Sequence, residues 1–302
     1  MQTLITPPPH DAPSLPYEEQ VDHAREALPA DLPDDPSKVL VALDVDGTLV
    51  TANGASENVR RTVASSIEAG INVVIATGRG VAATRPVFQE LELPSGFSVS
   101  SNGAQIVRWE RAQDGRHVYE KLSETYFDPR AAVQAVLGVI PGTILGADGG
   151  DERMRVNQYF PPGELASVED LHELEELLSF PTLRMVVRAP WLTRVEFEDA
   201  LTSVDLSSVE CAIGWTSWAD LTAHGTTKAK GLETLVSDLG IDRRGTIAIG
   251  DGTNDIAMLE WAAHGVAMGT ATPDIIAAAN TTTGAVDHDG AAAVLDALLE
   301  RY

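Results

Sequence analysis

The sequence predicts an α/β protein: a doubly wound parallel sheet with a second, α+β unit inserted into it. Two observations support this fold class. Five short apolar runs each end at a glycine or a polar residue, which is typical of strands buried on both faces of a parallel sheet. Helical stretches separate these runs, and alternating strands and helices are typical of a doubly wound domain.

Polar residues follow the ends of the predicted strands. The strands are residues 39–43, 71–76, 97–100, 246–249 and 266–268, and the helices between them are residues 56–69, 81–91, 227–239, 255–263 and 273–279. Ligands of open α/β sheets bind at the carboxyl ends of the strands, so we expect four such polar residues to converge. They are Asp44, Thr77, Asn102 and Asp251.

The stretch from residue 105 to residue 220 has a different pattern, and we assign it to the inserted unit. Segments 105–109 and 118–122 flank Asp114-Gly115, which is a hairpin signal. The further predicted elements are a helix over 128–140, a strand over 143–147, a charged amphipathic helix over 168–178, a strand over 183–187 and a helix over 192–201. The core domain is then predicted to consist of residues 38–104 and 221–302.

Residues 1–37 are rich in Pro, Asp, Glu and Ala and have little apolar periodicity. We expect a mostly disordered arm there, with one short helix over residues 17–28. The chain starts without the basic and apolar stretches of a signal peptide, and no apolar run reaches the roughly 18 residues that span a bilayer. A cytoplasmic protein is therefore expected.

Composition excludes several functions. The 21 Lys and Arg residues against 45 Asp and Glu residues give a formal net charge of −24, which repels nucleic acid and anionic membranes. We expect neither as a partner. Cys211 is the single cysteine, so neither a disulfide within the chain nor a cysteine-rich zinc site is possible. The sequence leaves the oligomeric state open.

The first candidate motif is Asp44-Val45-Asp46-Gly47-Thr48, directly after the first predicted strand. Two carboxylates two residues apart can both reach one site as the chain turns, and Gly47 permits that turn. One carboxylate can attack phosphorus as a nucleophile, and the other can act as a general acid and base. Taken alone, the motif is equally compatible with an ordinary Asp-Gly turn.

A second acidic motif, Gly250-Asp251-Gly252-Thr253-Asn254-Asp255, follows another strand and opens a helix. Its carboxylates and amide offer oxygen ligands for a hard cation, and Mg²⁺ is the natural occupant. A helix cap would explain one of these acidic residues, but not acidic residues at the ends of two strands of one sheet.

Two further positions suit an anion. Thr77-Gly78 supplies a hydroxyl and a backbone N–H at a third strand end, although Thr77 taken alone is better explained as an ordinary helix N-cap. Lys228 lies at a predicted helix start, where the helix dipole disfavours a cation, so a nearby phosphate and aspartate would account for its placement. We expect Arg79 to form a structural salt bridge and Lys230 to be solvated.

The order of the four motifs resembles the haloacid dehalogenase (HAD) superfamily of phosphohydrolases. Thr77 follows Asp44 by 33 residues, which leaves no room for a cap domain, but 151 residues separate Thr77 from Lys228. The cap is therefore inserted after the second motif, over residues 105–220. Together with Ser101-Asn102-Gly103-Ala104, this resembles the Cof-type branch, with a type IIB cap and sugar-phosphatase-like members. The resemblance covers residues 38–302.

The resemblance implies a role for each motif residue. Asp44 would be the nucleophile and a metal ligand, and Asp46 the general acid and base, with its backbone carbonyl on Mg²⁺. Asp251 would be a ligand, and Asp255 a supporting or water-mediated ligand. The implied phosphate-binding groups are the backbone of Val45 and Gly78 and the side chains of Thr77, Lys228 and Asn254. Family members commonly have Asn after Met-Gly, where this chain has Thr270.

The resulting hypothesis is a Mg²⁺-dependent phosphatase that acts on a small phosphate ester, with the cap selecting the substrate. The main alternative is a phosphosugar mutase of the phosphomannomutase type, which needs cap cations for a second phosphate. The available arginines are Arg153, Arg155, Arg184 and Arg188. An ion-pump fragment would need membrane spans. A non-catalytic binding module would not need Asp44, Asp46, Lys228 and Asp251 together.

Overall fold

The computed structural model describes residues 15–302, which form two sheets and the helices that cover them. The strands are β1 (Leu40–Leu43), β2 (Asn72–Ala76), β3 (Ser95–Ser100), β4 (Gln105–Arg111), β5 (His117–Glu124), β6 (Ile144–Asp148), β7 (Arg153–Val156), β8 (Val168–Leu171), β9 (Arg184–Arg188), β10 (Val209–Ile213), β11 (Trp218–Ala223), β12 (Thr246–Gly250), β13 (His264–Ala267) and β14 (Thr281–Thr282).

Ten α-helices occur in the described residues. They are α1 (Tyr17–Ala27), α2 (Glu57–Glu68), α3 (Val81–Glu90), α4 (Arg130–Val139), α5 (Leu174–Leu177), α6 (Arg194–Thr202), α7 (Lys228–Leu239), α8 (Ile256–Trp261), α9 (Pro273–Ala278) and α10 (Gly290–Leu299). Within residues 15–302, none of the helices has the length and apolar character needed to cross a membrane.

The core sheet has eight strands in the order β14-β13-β12-β1-β2-β3-β4-β5. The six strands from β14 to β3 are parallel, and β4 and β5 continue the sheet antiparallel. β1 lies in the centre, between β2 and β12, so the carboxyl ends of three buried strands meet there.

Both faces of the core sheet are buried. Along β1, Val41 and Leu43 pack on one face against α2 and α10, whereas Leu40 and Ala42 pack on the other against α7 and α8. A strand covered on both sides has to be apolar at every position, which explains the continuous run in the sequence. The predicted doubly wound α/β fold is confirmed.

The second sheet has six strands in the order β10-β11-β9-β6-β7-β8 and spans residues 144–223. One face packs against α4 and α6, with Val133, Phe197 and Leu145 fully buried. On the opposite face, Trp218 of β11 packs against Phe160, and Arg184 and Asp220 of the same face contact loops of the core domain. The insertion is an α+β layer, with helices on one side only.

Two details of the insertion differ from the sequence prediction. The hairpin of β4 and β5 lies in the core sheet, so the insertion begins after it rather than at residue 105. β4 follows β3 after only four residues, and this short connection pairs the two strands antiparallel. The predicted helix over residues 168–178 is wrong: residues 168–171 form β8, which pairs with β7, and only the four-residue α5 is helical. Strand pairing outweighs the local helical pattern there.

The N-terminal segment also differs from the predicted disordered arm, whose first 14 residues lie outside the described part of the chain. α1 matches the predicted short helix, and it packs through Val21 and Ala24 against α10. Tyr17 donates a hydrogen bond of 2.6 Å to Asp296 of α10, which also pairs with Arg61 at 2.7 Å. Burial and the bond to Asp296 raise the pKa of Tyr17.

We predict that Val21→Ala destabilises the protein by about 1.5 kcal/mol, because two buried methyl groups are lost at the α1–α10 contact. Chemical denaturation measures the free energy of unfolding, and Glu19→Ala on the exposed side of α1 is the matched control. Equal stability of the two variants would show that α1 does not pack in solution.

Candidate active site

The central strands bring two aspartates together. Asp44 follows β1 and Asp251 follows β12, and the two strands are parallel neighbours in the sheet. The Asp44 N–H donates to the carbonyl of Ile249 at 3.0 Å, which extends the strand pairing into the site. The predicted meeting of the first and last motifs is thus a result of sheet topology.

Lys228 is completely buried and lies between two carboxylates. Its Nζ donates to Asp44 Oδ1 at 2.5 Å and to Asp255 Oδ1 at 2.6 Å. Burial alone would lower the pKa of Lys228, but Asp255 and Asp44 outweigh burial and raise it. The ammonium group is therefore charged, and its position at the start of α7 is explained by these partners.

Asp44, Asp251 and Asp255 form a compact acidic group. One oxygen of each carboxylate lies within 4.8 Å of the others, and all three residues are buried. Burial and the negative charge of Asp255 raise the pKa of Asp44 to about 7, and Lys228 offsets part of this rise. Burial and the charges of Asp44 and Asp255 also raise the pKa of Asp251. One lysine does not balance three carboxylates.

The donor set fits a divalent cation. Asp251 Oδ1 accepts a hydrogen bond of 2.9 Å from the Thr48 hydroxyl, but Oδ2 is buried and has no hydrogen-bond partner among the described residues. An unpartnered buried carboxylate oxygen is costly, and a hard cation satisfies such an oxygen. Asp255 differs, since its Oδ2 already accepts from the N–H groups of Asp251 and Gly252.

The turn after Asp44 is closely fitted to Asp251. The carbonyl of Val45 accepts the N–H groups of Leu49 and Val50 at 2.9 Å, which folds the motif into a tight loop. Gly47 has a φ of +90°, and a Cβ at this position would lie 2.3 Å from Asp251 Oδ2. Glycine is required both by the backbone conformation and by the neighbouring carboxylate.

Asp46 lines a cavity between the core and the insertion, and its carboxylate is paired with Arg79. The guanidinium donates to both oxygens of Asp46, at 2.8 and 2.5 Å, in a bidentate geometry. The predicted structural salt bridge of Arg79 therefore involves the other aspartate of the first motif. The Asp46 carboxylate does not belong to the compact acidic group.

Two of the predicted phosphate-binding residues, Gly78 and Asn254, line the same cavity as Asp44 and Asp46. The Thr77 hydroxyl accepts the Arg79 N–H at 3.1 Å. The Asn254 side chain donates to Asn102 Oδ1 at 2.9 Å. Asn102 has a left-handed backbone, with a φ of +54°, which turns the chain at the end of β3.

A cavity of about 310 Å³ lies between the core and the insertion. Asp44, Asp46 and Asn254 line it on the core side, and the insertion contributes aromatic, apolar and charged side chains. Those lining residues include Glu164, Leu165, Arg184, Arg194, Trp215 and Trp218. The cavity has room for a phosphate and a small attached group.

Sequence reasoning missed three contacts. The role of Thr48 as a donor to Asp251 was not predicted, although its place in the first motif was a signal. Arg184 and Asp220 reach from the insertion to the core loops. The sequence marks Arg184 only as a cation available to a second phosphate, and Asp220 has no sequence signal.

Comparison with known proteins identifies the family. A model of haloacid dehalogenase-like hydrolases matches residues 41–127 and 168–295, well over half of the chain. The chain therefore belongs to this family. The match confirms the predicted family and the predicted enzyme class of HAD-type hydrolases. Between its two matched segments lie residues 128–167 of the insertion, which the family model does not match.

Individual relatives extend over most of the chain. Phosphatase YwpJ of Bacillus subtilis is 29% identical and the alignment covers 86% of this chain and 99% of YwpJ. Pyridoxal phosphate phosphatase YbhA of Escherichia coli is 27% identical, with 81% and 93% covered. The solved structure of the HAD subclass IIB sugar phosphatase BT4131 is 25% identical, with a TM-score of 0.67 and 84% and 96% covered.

We predict that Gly47→Ala is more destabilising than Gly115→Ala, although both glycines have positive φ, +90° and +82°. The backbone penalty of about 1–2 kcal/mol is common to both variants. Only the Gly47 variant also displaces Asp251, which adds roughly 1–3 kcal/mol, because no described atom lies within 4 Å of a Cβ at Gly115. Equal free energies of unfolding would contradict the fitted turn.

Proposed function

We propose that the protein is a Mg²⁺-dependent phosphatase that hydrolyses a small phosphorylated metabolite through an aspartyl phosphate on Asp44. The observation that supports this most directly is the position of Asp44. Its carboxylate lines the cavity while Lys228, Asp251 and Asp255 lie buried behind it. The proposed nucleophile can therefore be reached by substrate, while the charged groups of Lys228, Asp251 and Asp255 lie on its buried side.

Asp44 attacks phosphorus with one carboxylate oxygen. The P–O bond to the leaving group breaks, and Asp46 gives its proton to the departing oxygen. Asp46 then takes a proton from the water that attacks the aspartyl phosphate, and inorganic phosphate leaves with Asp44 restored. Because Arg79 occupies both oxygens of Asp46 in this structure, that ion pair has to open during the reaction.

Lys228 holds Asp44 in place for the attack. Its 2.5 Å hydrogen bond engages Asp44 Oδ1, so Oδ2 is left as the oxygen for the phosphorus. The same ammonium offsets negative charge as phosphate approaches an already acidic site. The proposed phosphate contacts are those implied by the family: the backbone of Val45 and Gly78 and the side chains of Thr77, Lys228 and Asn254.

Mg²⁺ would be held by Asp44, Asp251 and the backbone carbonyl of Asp46, with Asp255 in support. When bound, it would supply positive charge beside the phosphate oxygens. The unpartnered Oδ2 of Asp251 and the excess of carboxylates over lysine support this assignment.

The cavity and the relatives indicate the size of the substrate. Two relatives are described as acting on pyridoxal phosphate and on sugar phosphates, and both are small monoesters. A cavity of about 310 Å³ suits a leaving group of this size. The insertion, as the cap over the cavity, would select among such esters. A cytoplasmic location remains the prediction made from the sequence.

The positions of the four cap arginines named above as possible ligands of a second phosphate argue against the phosphosugar mutase alternative. Arg153 pairs with Asp170 on the surface, Arg155 pairs with Asp151, and Arg188 pairs with Glu164. Of the four, only Arg184 lines the cavity, and it already faces Asp148 and Asp220. A second phosphate would meet little unpaired positive charge there.

We predict that Asp44→Asn lowers phosphate release from a generic aryl phosphate by at least about 10³-fold, because the nucleophile is lost. The matched control is Asp238→Asn, which changes an exposed aspartate of α7. Rates near the wild-type value in the Asp44→Asn protein would exclude an aspartyl phosphate on this residue.

We predict that EDTA abolishes activity, that Mg²⁺ restores it, and that Asp251→Asn raises the Mg²⁺ concentration for half-activity by roughly tenfold or more. The amide replaces a ligand whose buried oxygen has no other partner among the described residues. A titration of activity against Mg²⁺ measures the change. Full activity in EDTA would contradict the metal site.

We predict free phosphate, and no isomerised ester, from a hexose 1-phosphate that the protein accepts. The reason is the paired charge on the cap side of the cavity. Phosphorus NMR of the products distinguishes the two reactions, and accumulation of hexose 6-phosphate would favour the mutase.

A further inference from the structure

Two side chains of the insertion reach across the cavity to the loops of the core. Arg184 on β9 donates from Nη1 to the carbonyl oxygen of Gly78 at 2.7 Å. Asp220 on β11 accepts the Asn102 amide at 3.2 Å through Oδ2. β9 and β11 are paired strands, and both side chains lie on one face of the sheet. Arg184 Nη1 is 3.4 Å from Asp220 Oδ2.

Arg184 acts on the Thr77-Gly78 loop through one peptide group. The peptide between Gly78 and Arg79 accepts from Arg184 with its oxygen and donates to the Thr77 hydroxyl with its N–H, at 3.1 Å. By donating to the Gly78 carbonyl, Arg184 fixes the plane of this peptide and therefore the direction of its N–H. That N–H occupies one lone pair of the Thr77 hydroxyl oxygen. The hydrogen of the Thr77 hydroxyl is then left for an external acceptor.

Asp220 acts on a second loop of the core through Asn102, which lies beside Gly78. The Asn102 amide nitrogen donates to Asp220, so the amide oxygen is directed to Asn254, whose Nδ2 donates to it at 2.9 Å. Asn254 lines the cavity beside Asp44. One carboxylate of the cap thereby orients an amide of the last core motif.

Burial makes this pair of contacts specific. The side chains of Arg184 and Asp220 are 8% and 11% exposed, and Trp218 donates to Asp220 at 3.0 Å. Asp148 lies 3.6 Å from the same guanidinium and accepts from the Ser101 hydroxyl. Hydrogen bonds of charged groups are strong in such surroundings, and their geometry is fixed on both sides.

We propose that Arg184 and Asp220 are positioning residues of the cap that orient the phosphate-binding groups of the core, through Gly78 and Asn102 respectively. The affinity of the core for phosphate then depends on the cap, in addition to any contact of the cap with the leaving group. The inference rests on the proposed function, because it takes Thr77, Gly78 and Asn254 as phosphate contacts.

The test measures inorganic phosphate, which has no leaving group for the cap to contact. Calorimetry gives its dissociation constant in the presence of Mg²⁺, and competition with an aryl phosphate gives its inhibition constant. Asp220→Asn and Arg184→Met are expected to weaken phosphate binding roughly 10- to 100-fold, as for the loss of a hydrogen bond of a charged group. Arg184→Lys, which keeps a charged donor, is expected to recover part of the loss.

Glu152→Gln is the matched control. Glu152 of the cap pairs with Arg85 of α3 at 2.8 Å, so it joins cap and core without a contact to either phosphate loop. Its variant is expected to bind phosphate within twofold of wild type. Thermal unfolding of each variant separates weak binding from loss of fold, and Asp220→Asn, which keeps the side-chain shape, decides the matter if Arg184→Met does not fold.

Unchanged phosphate affinity in folded Asp220→Asn and Arg184→Met proteins would overturn the inference. So would equal weakening by Glu152→Gln, since cap docking in general would then be responsible. The proposed function fails separately, if the wild-type protein binds phosphate but releases none from any ester.

Discussion

The site depends on the burial of Lys228 between Asp44 and Asp255. Removing an ammonium group from water costs several kcal/mol unless carboxylates and hydrogen bonds compensate. Here both partners are within 2.6 Å, and Asp255 is itself held by two backbone N–H groups of the loop after β12. The lysine therefore fixes the start of α7 and that loop relative to β1. It also supplies local positive charge in a chain whose net charge is −24.

Both the core and the cap contribute residues to the candidate site. The strand ends of the core supply the proposed nucleophile and the acidic group, while the loops beside them accept a hydrogen bond from Arg184 and donate one to Asp220 of the insertion. Arg184 and Asp220 pair with each other, so their charges are already compensated within the protein. A cation that binds a second phosphate would need to be unpaired. Under the proposed function, the insertion would then affect phosphate binding as well as the choice of leaving group.

The core could be predicted from the sequence because its signals are local. A strand buried on both faces needs a continuous apolar run, and the candidate site residues Asp44 and Asp251 directly follow two such strands. The cap could not be predicted as well. Residues 168–171 have a helical pattern yet form β8, since pairing with β7 is decided by distant residues. Asp220 reaches Asn102 only because β11 pairs with β9, and that register has no signature in either segment.

The discontinuous core has a consequence for synthesis on the ribosome. β1 pairs with β12, in which Thr246 lies 206 residues after its partner Leu40. The cap sheet is continuous, over residues 144–223, so all of its strands have been made before β12 emerges. Domains generally fold as units while the chain is made, and distant pairings form late. Asp44 is therefore translated early, but it acquires its buried lysine only after the entire cap has left the ribosome.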